Sequence, residues 1–196
     1  MKKLTAAELI EQLNADPDFA ARRAREDGER QRCAEEWRRA ESPLVDELQA
    51  SGVAVESAWD LVNTSASYST ALPILLKHLE RPYPAAIREG IARALAVPEA
   101  AFGFVALQRL YRQESEERVK SGLAAAIAAT VNDETIDALI ALAKDASHGS
   151  SRLLLLSALA RSIDPRARAA LVELGTDPDL HKEVGVVLRR LKPVKP

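Results

Sequence analysis

The sequence repeats with a period of 32 residues between about residue 70 and residue 191. Three columns of equivalent positions hold aliphatic residues in four successive copies without a gap. A period of about 20–50 residues is typical of supersecondary units that stack and share one core. We therefore expect equivalent positions to have the same environment in each copy. The columns are Leu75, Leu107, Leu139 and Leu171; Ile91, Leu123, Leu155 and Val187; and Leu95, Ile127, Leu159 and Leu191.

Each copy has the pattern of two helices. Alanine and leucine dominate the apolar residues, which favours helix, and no segment shows the β-branched alternation of a strand. Asp164-Pro165 and Asp177-Pro178 each place a capping residue before a proline, which predicts helix starts. The four units lie near residues 70–96, 99–130, 133–163 and 165–191.

The N-terminal part of the chain has a different composition. Ser42-Pro43 predicts a further helix start and opens a degenerate unit over residues 42–66, with Trp59 in the core column of Ile91. Residues 1–41 are highly charged and are expected to form a helical cap or arm, in which a capping box begins a short helix that ends near Asn14. Residues 42–192 would then form the repeat region, and residues 193–196 a tail.

The segments "LPILLKHLERPYPAAIREGIARALA" and "LIALAKDASHGSSRLLLLSALARS" resemble HEAT repeats of the short bacterial type, related to those of phycobilisome-lyase-like proteins. The resemblance implies an all-α fold, a right-handed α-solenoid of four to five helical hairpins, and a binding scaffold as the function. In the family an aspartate between the helices pairs with a base on the second helix, which here implies a pair of Asp145 with Arg152. The column Arg88, Lys120 and Arg152 is then expected to connect neighbouring repeats rather than to bind a ligand.

Composition and motifs argue against several classes of function. The net charge of −2 creates no basic field for nucleic acid, and no apolar run is long enough to span a membrane. The single cysteine indicates a reducing, cytoplasmic setting, and the N-terminus lacks the apolar stretch of a signal peptide. The three histidines have no zinc-like spacing, and no glycine-rich phosphate loop is present. We therefore expect no catalytic residues, no metal and no cofactor.

Four consecutive leucines, Leu153 to Leu156, cannot all face the core of one helix. If Leu155 and Leu159 lie at the centre of the buried face, Leu153 points about 160° away and Leu156 about 100° away. One interpretation is that Leu156 packs on a neighbouring repeat and Leu153 is a single exposed leucine. The other is that Leu153 anchors a partner on the inner face of the second helices.

That inner face is predicted to carry small and mostly basic residues, which favours an acidic segment of a protein partner. We expect neither nucleic acid nor a membrane as the principal partner, and we expect the chain to be a monomer or a weak homodimer. The predicted partner-binding residues, referred to below as the second-helix face, are Glu89, Arg93, Arg118, Leu153, Ser157, Arg161 and Arg189.

Three alternatives belong to other classes of function. Small bacterial HEAT-like proteins also serve as immunity proteins that neutralise a toxin. Lyase-like and DNA-glycosylase-like HEAT enzymes would require a polar cleft with a carboxylate or thiol, and only Glu89 is acidic on the inner face. Binding of nucleic acid through the basic residues would be weak and steeply salt-dependent.

Overall fold

The computed structural model describes residues 5–7, 16–62 and 64–191. Most of the predicted short helix that ends near Asn14, and the whole predicted tail at 193–196, lie outside the described residues. The chain divides into two compact units, Met1–Ala40 and Glu41–Pro196.

The described part of the chain is helical and contains no β-strand, which confirms the all-α class. Three short 3₁₀ segments precede α3, α5 and α8 at Ser69–Ala71, Pro98–Gly103 and Ala146–Ser151. The α-helices are α1 (Pro17–Ala50), α2 (Trp59–Val62), α3 (Leu72–Leu79), α4 (Ala85–Ala94), α5 (Phe104–Gln113), α6 (Glu117–Thr130), α7 (Ile136–Lys144), α8 (Arg152–Arg161), α9 (Pro165–Leu174) and α10 (His181–Arg190).

The first unit contains residues 17–40 of α1. Almost every side chain of this part is exposed, and Cys33 is half-buried. Arg30 and Asp27 form an ion pair one turn apart, and the Arg22 guanidinium lies 5.4 Å from the centre of the Phe19 ring. Local charge pairs of this kind support a helix that buries little apolar surface.

The predicted helix start at Ser42-Pro43 is wrong, because α1 continues through Pro43 to Ala50. A proline inside a helix removes one backbone hydrogen bond, and this cost is offset where the flanking turns are stabilised by packing. Here Leu44 and Leu48, on the turns that follow Pro43, are completely buried. Burial of these two leucines outweighs the local signal for a new start.

The second unit is built from four helical hairpins: α3–α4, α5–α6, α7–α8 and α9–α10. Within each hairpin the two helices pack against each other. The second helices also pack on one another in chain order, α4 on α6, α6 on α8 and α8 on α10, and the short α2 packs on α4. Successive second helices therefore form a continuous layer.

The repeat columns are buried alike in the first three hairpins, as predicted, and one of the three columns is buried in all four. Leu75, Leu107, Leu139 and Leu171 are all completely buried. The columns that begin at Ile91 and Leu95 are buried to at least 99% in the first three hairpins and become half-exposed at their last members, Val187 and Leu191. The 32-residue period thus sets the burial pattern of the second unit.

The two aspartate–proline signals have different outcomes. Asp164 caps α9 by accepting a hydrogen bond from the Arg166 amide, and Pro165 is the first helical residue, as predicted. Asp177 instead accepts from the Asp179 amide in a turn, and α10 begins only at His181. The predicted start at Asp177-Pro178 is therefore wrong, because residues 178–180 form a turn before the helix begins.

Trp59 is half-buried rather than a fully enclosed core residue. Its indole Nε1 donates a hydrogen bond to the Ala86 carbonyl oxygen at 3.1 Å. A Cβ atom at Gly90 would lie 2.7 Å from that nitrogen. Only glycine at position 90 therefore allows the indole ring to lie directly against α4.

Within the described ranges, no single helix is both long enough and apolar enough to cross a membrane. One sharply bent pair of helical segments, Ala85–Ala94 with Pro98–Gln113, is long and apolar enough to cross a membrane by length and composition alone. The buried core helices of a protein outside a membrane have the same length and composition.

Candidate functional site

The four leucines divide into two exposed and two buried residues. Leu155 and Leu156 are at most 1% exposed, whereas Leu153 is 37% exposed and Leu154 is 38% exposed. Leu155 faces the centre of the core, and Leu156 is covered as well, as the first interpretation expected. The structure also shows a second exposed leucine, Leu154, that the sequence analysis did not identify.

Glycines explain why Leu154 is exposed. The positions equivalent to Leu154 in the two preceding units are Gly90 and Gly122. A Cβ atom at Gly122 would lie 3.0 Å from the Ala92 Cβ and 3.1 Å from the Glu89 carbonyl oxygen, so α6 approaches α4 closely at this point. A leucine side chain does not fit such a contact, and at α8 it turns to solvent instead. The glycines at equivalent positions were the sequence signal for this difference.

Glu89 is buried, which corrects the expectation that it is an outward residue of the second-helix face. Its side chain is 9% exposed and lies between two arginines. The Arg93 Nε donates to Oε1 at 2.9 Å, and the Arg118 Nε, from the next unit, donates to Oε2 at 2.9 Å. The three charges form a cluster of net charge +1, with Arg118 as its more exposed member at 59%.

Three other residues of the second-helix face lie on α8 and α10. Ser157 and Arg161 are exposed on α8, and Arg189 is exposed on α10, which packs on α8. Arg161 Nη2 donates to the Ala128 carbonyl oxygen at 2.8 Å, so this guanidinium reaches back to the preceding second helix. Arg118 reaches back to Glu89 in the same direction. The face therefore presents two leucines beside arginines that are held in place by the neighbouring unit.

A groove of about 320 Å³, lined by both polar and apolar residues, lies beside Arg93 at the C-terminal end of α4. Arg93 lines it together with Ser67 and Glu99. The Tyr68 hydroxyl, also in the groove, donates to the Ala94 carbonyl oxygen at 2.9 Å, and burial raises the pKa of this phenol.

Two of the three basic residues at the start of the second helices, Arg88 and Arg152, connect neighbouring hairpins, whereas the Lys120 Nζ lies 5.4 Å from the centre of the Tyr111 ring in its own hairpin. Arg152 is completely buried, and its Nη1 donates to the Asp177 Oδ2 at 2.6 Å. Arg88 pairs with Glu114 of the next hairpin at 2.6 Å. The expected pair of Asp145 with Arg152 is not formed, because Asp145 accepts from the Ser147 amide at the start of a 3₁₀ segment. Arg152 instead reaches the aspartate one period later in the chain.

His78 is buried in a network that the sequence analysis missed. Its Nε2 donates to the Glu47 Oε2 at 2.9 Å, and its Nδ1 forms a hydrogen bond of 2.7 Å with the Tyr83 hydroxyl. Hydrogen bonds from Lys77 and His78 lower the pKa of the Glu47 carboxyl to about 2. Both ring nitrogens are satisfied within the protein, so this histidine holds α1 and α3 together. No sequence spacing indicates a contact between residues 31 positions apart.

His148 differs from His78 because neither of its ring nitrogens has a hydrogen-bond partner within the described residues. The ring is tilted against that of Tyr111, with centroids 4.5 Å apart. Burial, followed by the charge of Lys120, lowers the pKa of His148. The imidazole is therefore held in its neutral form near pH 7.

The described side chains contain no group of three or more His, Cys, Asp or Glu residues that could hold a metal ion. Comparison of the chain with protein-family models, curated proteins and solved structures found no match. The site with the clearest arrangement for recognition is therefore the second-helix face, with Leu154 added and Glu89 in a supporting position.

Proposed function

We propose that this protein is a non-catalytic binding scaffold, a HEAT-like α-solenoid that holds an acidic segment of a partner protein against the second-helix face. The observation that carries the proposal is the exposure of Leu153 and Leu154 beside two buried leucines on the same helix. The all-helical second unit and the single cysteine support a repeat scaffold that works in a reducing, cytoplasmic setting.

The free energy gained when a partner covers Leu153 and Leu154 shows how much affinity must come from other contacts. Complete burial of a leucine contributes about 1.5–3 kcal/mol, so covering the exposed third of both leucines contributes roughly 1–2 kcal/mol together. That is about a tenfold gain in affinity. The remaining affinity must come from polar contacts, and the side chains placed to supply them are arginines.

The exposed charges of the second-helix face indicate that its partner carries acidic residues. Arg118, Arg161 and Arg189 are exposed, and Glu89 is already neutralised by two arginines. Guanidinium groups bind carboxylates in a bidentate geometry, and they pack on aliphatic groups at the same time. A helix or extended segment with aliphatic residues next to Asp or Glu fits this face.

The test compares three forms of the chain as baits in cells that encode it: the wild type, Leu153→Asp and Val105→Asp. Val105 is 74% exposed on α5, so its variant controls for the added charge on a first helix. We expect one partner to be retained by the wild type and by Val105→Asp and to be lost from Leu153→Asp.

Calorimetry with the purified partner then gives the affinity at low and at moderate salt. We expect binding to weaken as salt rises, because screening reduces attraction between exposed charges. Thermal melts show whether Leu153→Asp is still folded. Unchanged binding by a folded Leu153→Asp protein would refute the proposal, and so would binding that does not depend on salt.

A further inference from the structure

His148 lies in the 3₁₀ segment Ala146–Ser151, between α7 and α8. Its side chain is only 4% exposed, and its ring packs on the ring of Tyr111 with the centroids 4.5 Å apart. Neither ring nitrogen has a hydrogen-bond partner among the described residues. The contact therefore uses the imidazole as an apolar group, although histidine is the side chain that gains a charge at mildly acidic pH.

The surroundings of His148 oppose protonation of the ring in this position. Burial, followed by the charge of Lys120 on α6, lowers its pKa, and the guanidinium groups of Arg112 on α5 and Arg152 on α8 act in the same direction. Asp145, at the C-terminal end of α7, acts in the opposite direction, with its Oδ2 3.6 Å from the His148 Nε2 and its side chain 53% exposed. A charged imidazole is therefore more stable in water than in this site.

The segment buries little surface apart from the His148 ring. Its buried residues are His148 and Ser151. The Ser151 hydroxyl donates to the His148 carbonyl oxygen at 2.7 Å and forms a hydrogen bond of 2.7 Å with the Tyr111 hydroxyl. Gly149 has a φ of +59°, a backbone conformation that favours glycine, and it separates His148 from the start of α8. A segment with so little buried surface opens locally at a lower free energy than the core helices do.

We propose that His148 is a pH-sensitive switch, whose protonation opens the segment Ala146–Ser151 and uncovers Tyr111. In the closed form the neutral ring covers the Tyr111 side chain, which is completely buried. In the open form the imidazolium is in water, away from the three neighbouring cations. Arg152 is held separately by its 2.6 Å ion pair with Asp177, so α8 stays in place and the change is confined to the segment.

The size of the effect follows from the difference in proton binding between the two forms. An exposed imidazole has a pKa of about 6.5, so about nine in ten such groups are charged at pH 5.5. The closed form binds this proton only at a lower pH, since burial lowers the pKa of His148 there. The ratio of open to closed molecules should therefore rise by up to about tenfold from pH 7.5 to pH 5.5, and it should be nearly constant above pH 7.5.

Hydrogen exchange at pH 7.5 and pH 5.5 tests the proposal when the rate of each amide is divided by its intrinsic rate at that pH. We expect the protection of residues 146–151 to fall by up to about tenfold at the lower pH. The 3₁₀ segment Pro98–Gly103 has the same length and no histidine, so its protection should not change. His148→Phe should remove the effect, and His181→Phe, at an exposed histidine, should retain it.

A wild-type segment whose protection does not fall at the lower pH would overturn the proposal. Equal falls in the wild type and in a folded His148→Phe protein would also overturn it, and so would an equal fall in both 3₁₀ segments. Titration of the wild-type imidazole by NMR gives a second measurement that depends on no variant. A pKa of His148 at or above about 6.5 in the folded protein would contradict the proposal, and a lower pKa together with the loss of protection supports it.

Discussion

An alanine scan of Leu153 to Leu156 tests the assignment of the second-helix face on one turn of one helix. The four positions carry the same side chain and lie on the same helix, so each is a control for the others. Their exposures are 37%, 38%, 0% and 1% in chain order. The change in free energy of unfolding should therefore differ between the first pair and the second pair.

The size of the difference follows from burial. Leu→Ala in a close-packed core lowers the free energy of unfolding by about 2.7–5 kcal/mol. This cost includes the lost transfer free energy of the removed atoms and the cavity that remains. Leu155→Ala and Leu156→Ala should fall in that range. Leu153→Ala and Leu154→Ala leave no closed cavity and should cost less than about 1.5 kcal/mol, since alanine also favours helix slightly more than leucine does.

Urea denaturation followed by circular dichroism measures these differences, and equal m-values show that the transitions are comparable. A cost for Leu153→Ala or Leu154→Ala as large as that of Leu155→Ala would show that the exposed leucines are core residues. The assignment of a partner-binding face would then fail. A cost below about 1 kcal/mol for Leu155→Ala would contradict the burial of the repeat column itself.

Three other predictions concern packing and buried polar groups. Gly90→Ala places a Cβ atom against Trp59 and should lower the free energy of unfolding, measured by heat or urea, by about 1–3 kcal/mol. It should also shift the indole fluorescence, and an unchanged spectrum would argue against the contact. Arg152→Ala removes the completely buried ion-pair partner of Asp177 and should cost about 1.5–3 kcal/mol, the range for a lost hydrogen bond to a charged group. A melting temperature equal to that of the wild type would contradict this. The folded chain holds the pKa of His148 below its usual 6.5, so the unfolded chain binds a proton on this imidazole first as the pH falls. The free energy of unfolding should therefore decrease as the pH drops from about 7 to about 5. His148→Phe should reduce this pH dependence, and an equal dependence in both proteins would refute the role of His148.

The fold class and the buried columns could be predicted because they depend on spacing within the chain. Leu75 and its three equivalents share one environment, since a fixed period places each at the same point of a hairpin. The environment of Glu89 could not be predicted in this way. It depends on Arg118, which is 29 positions away on another helix, and a single carboxylate gives no sign of which bases will reach it.

Two local signals for helix starts failed. Pro43 did not begin a helix, because burial of leucines on both following turns favours a continuous α1. Asp177 accepts from the Asp179 amide and pairs with Arg152 through its other carboxylate oxygen, yet α10 begins only at His181, after a turn at residues 178–180. Both segments show the same capping pattern as Asp164-Pro165, which does begin a helix. The pattern alone therefore does not predict where a helix begins.

The central claim is that units of 32 residues stack in register, and distances between spin labels test it most directly. Cysteines for labelling replace the equivalent residues Arg93, Ala125, Ser157 and Arg189 in pairs, in a Cys33→Ser background diluted with unlabelled chain. Packed helices lie about 8–10 Å apart, so the distance from position 93 should increase by roughly that amount per unit and reach about three such steps at position 189. A distance from 93 to 189 no longer than that from 93 to 125 would contradict the stacked arrangement.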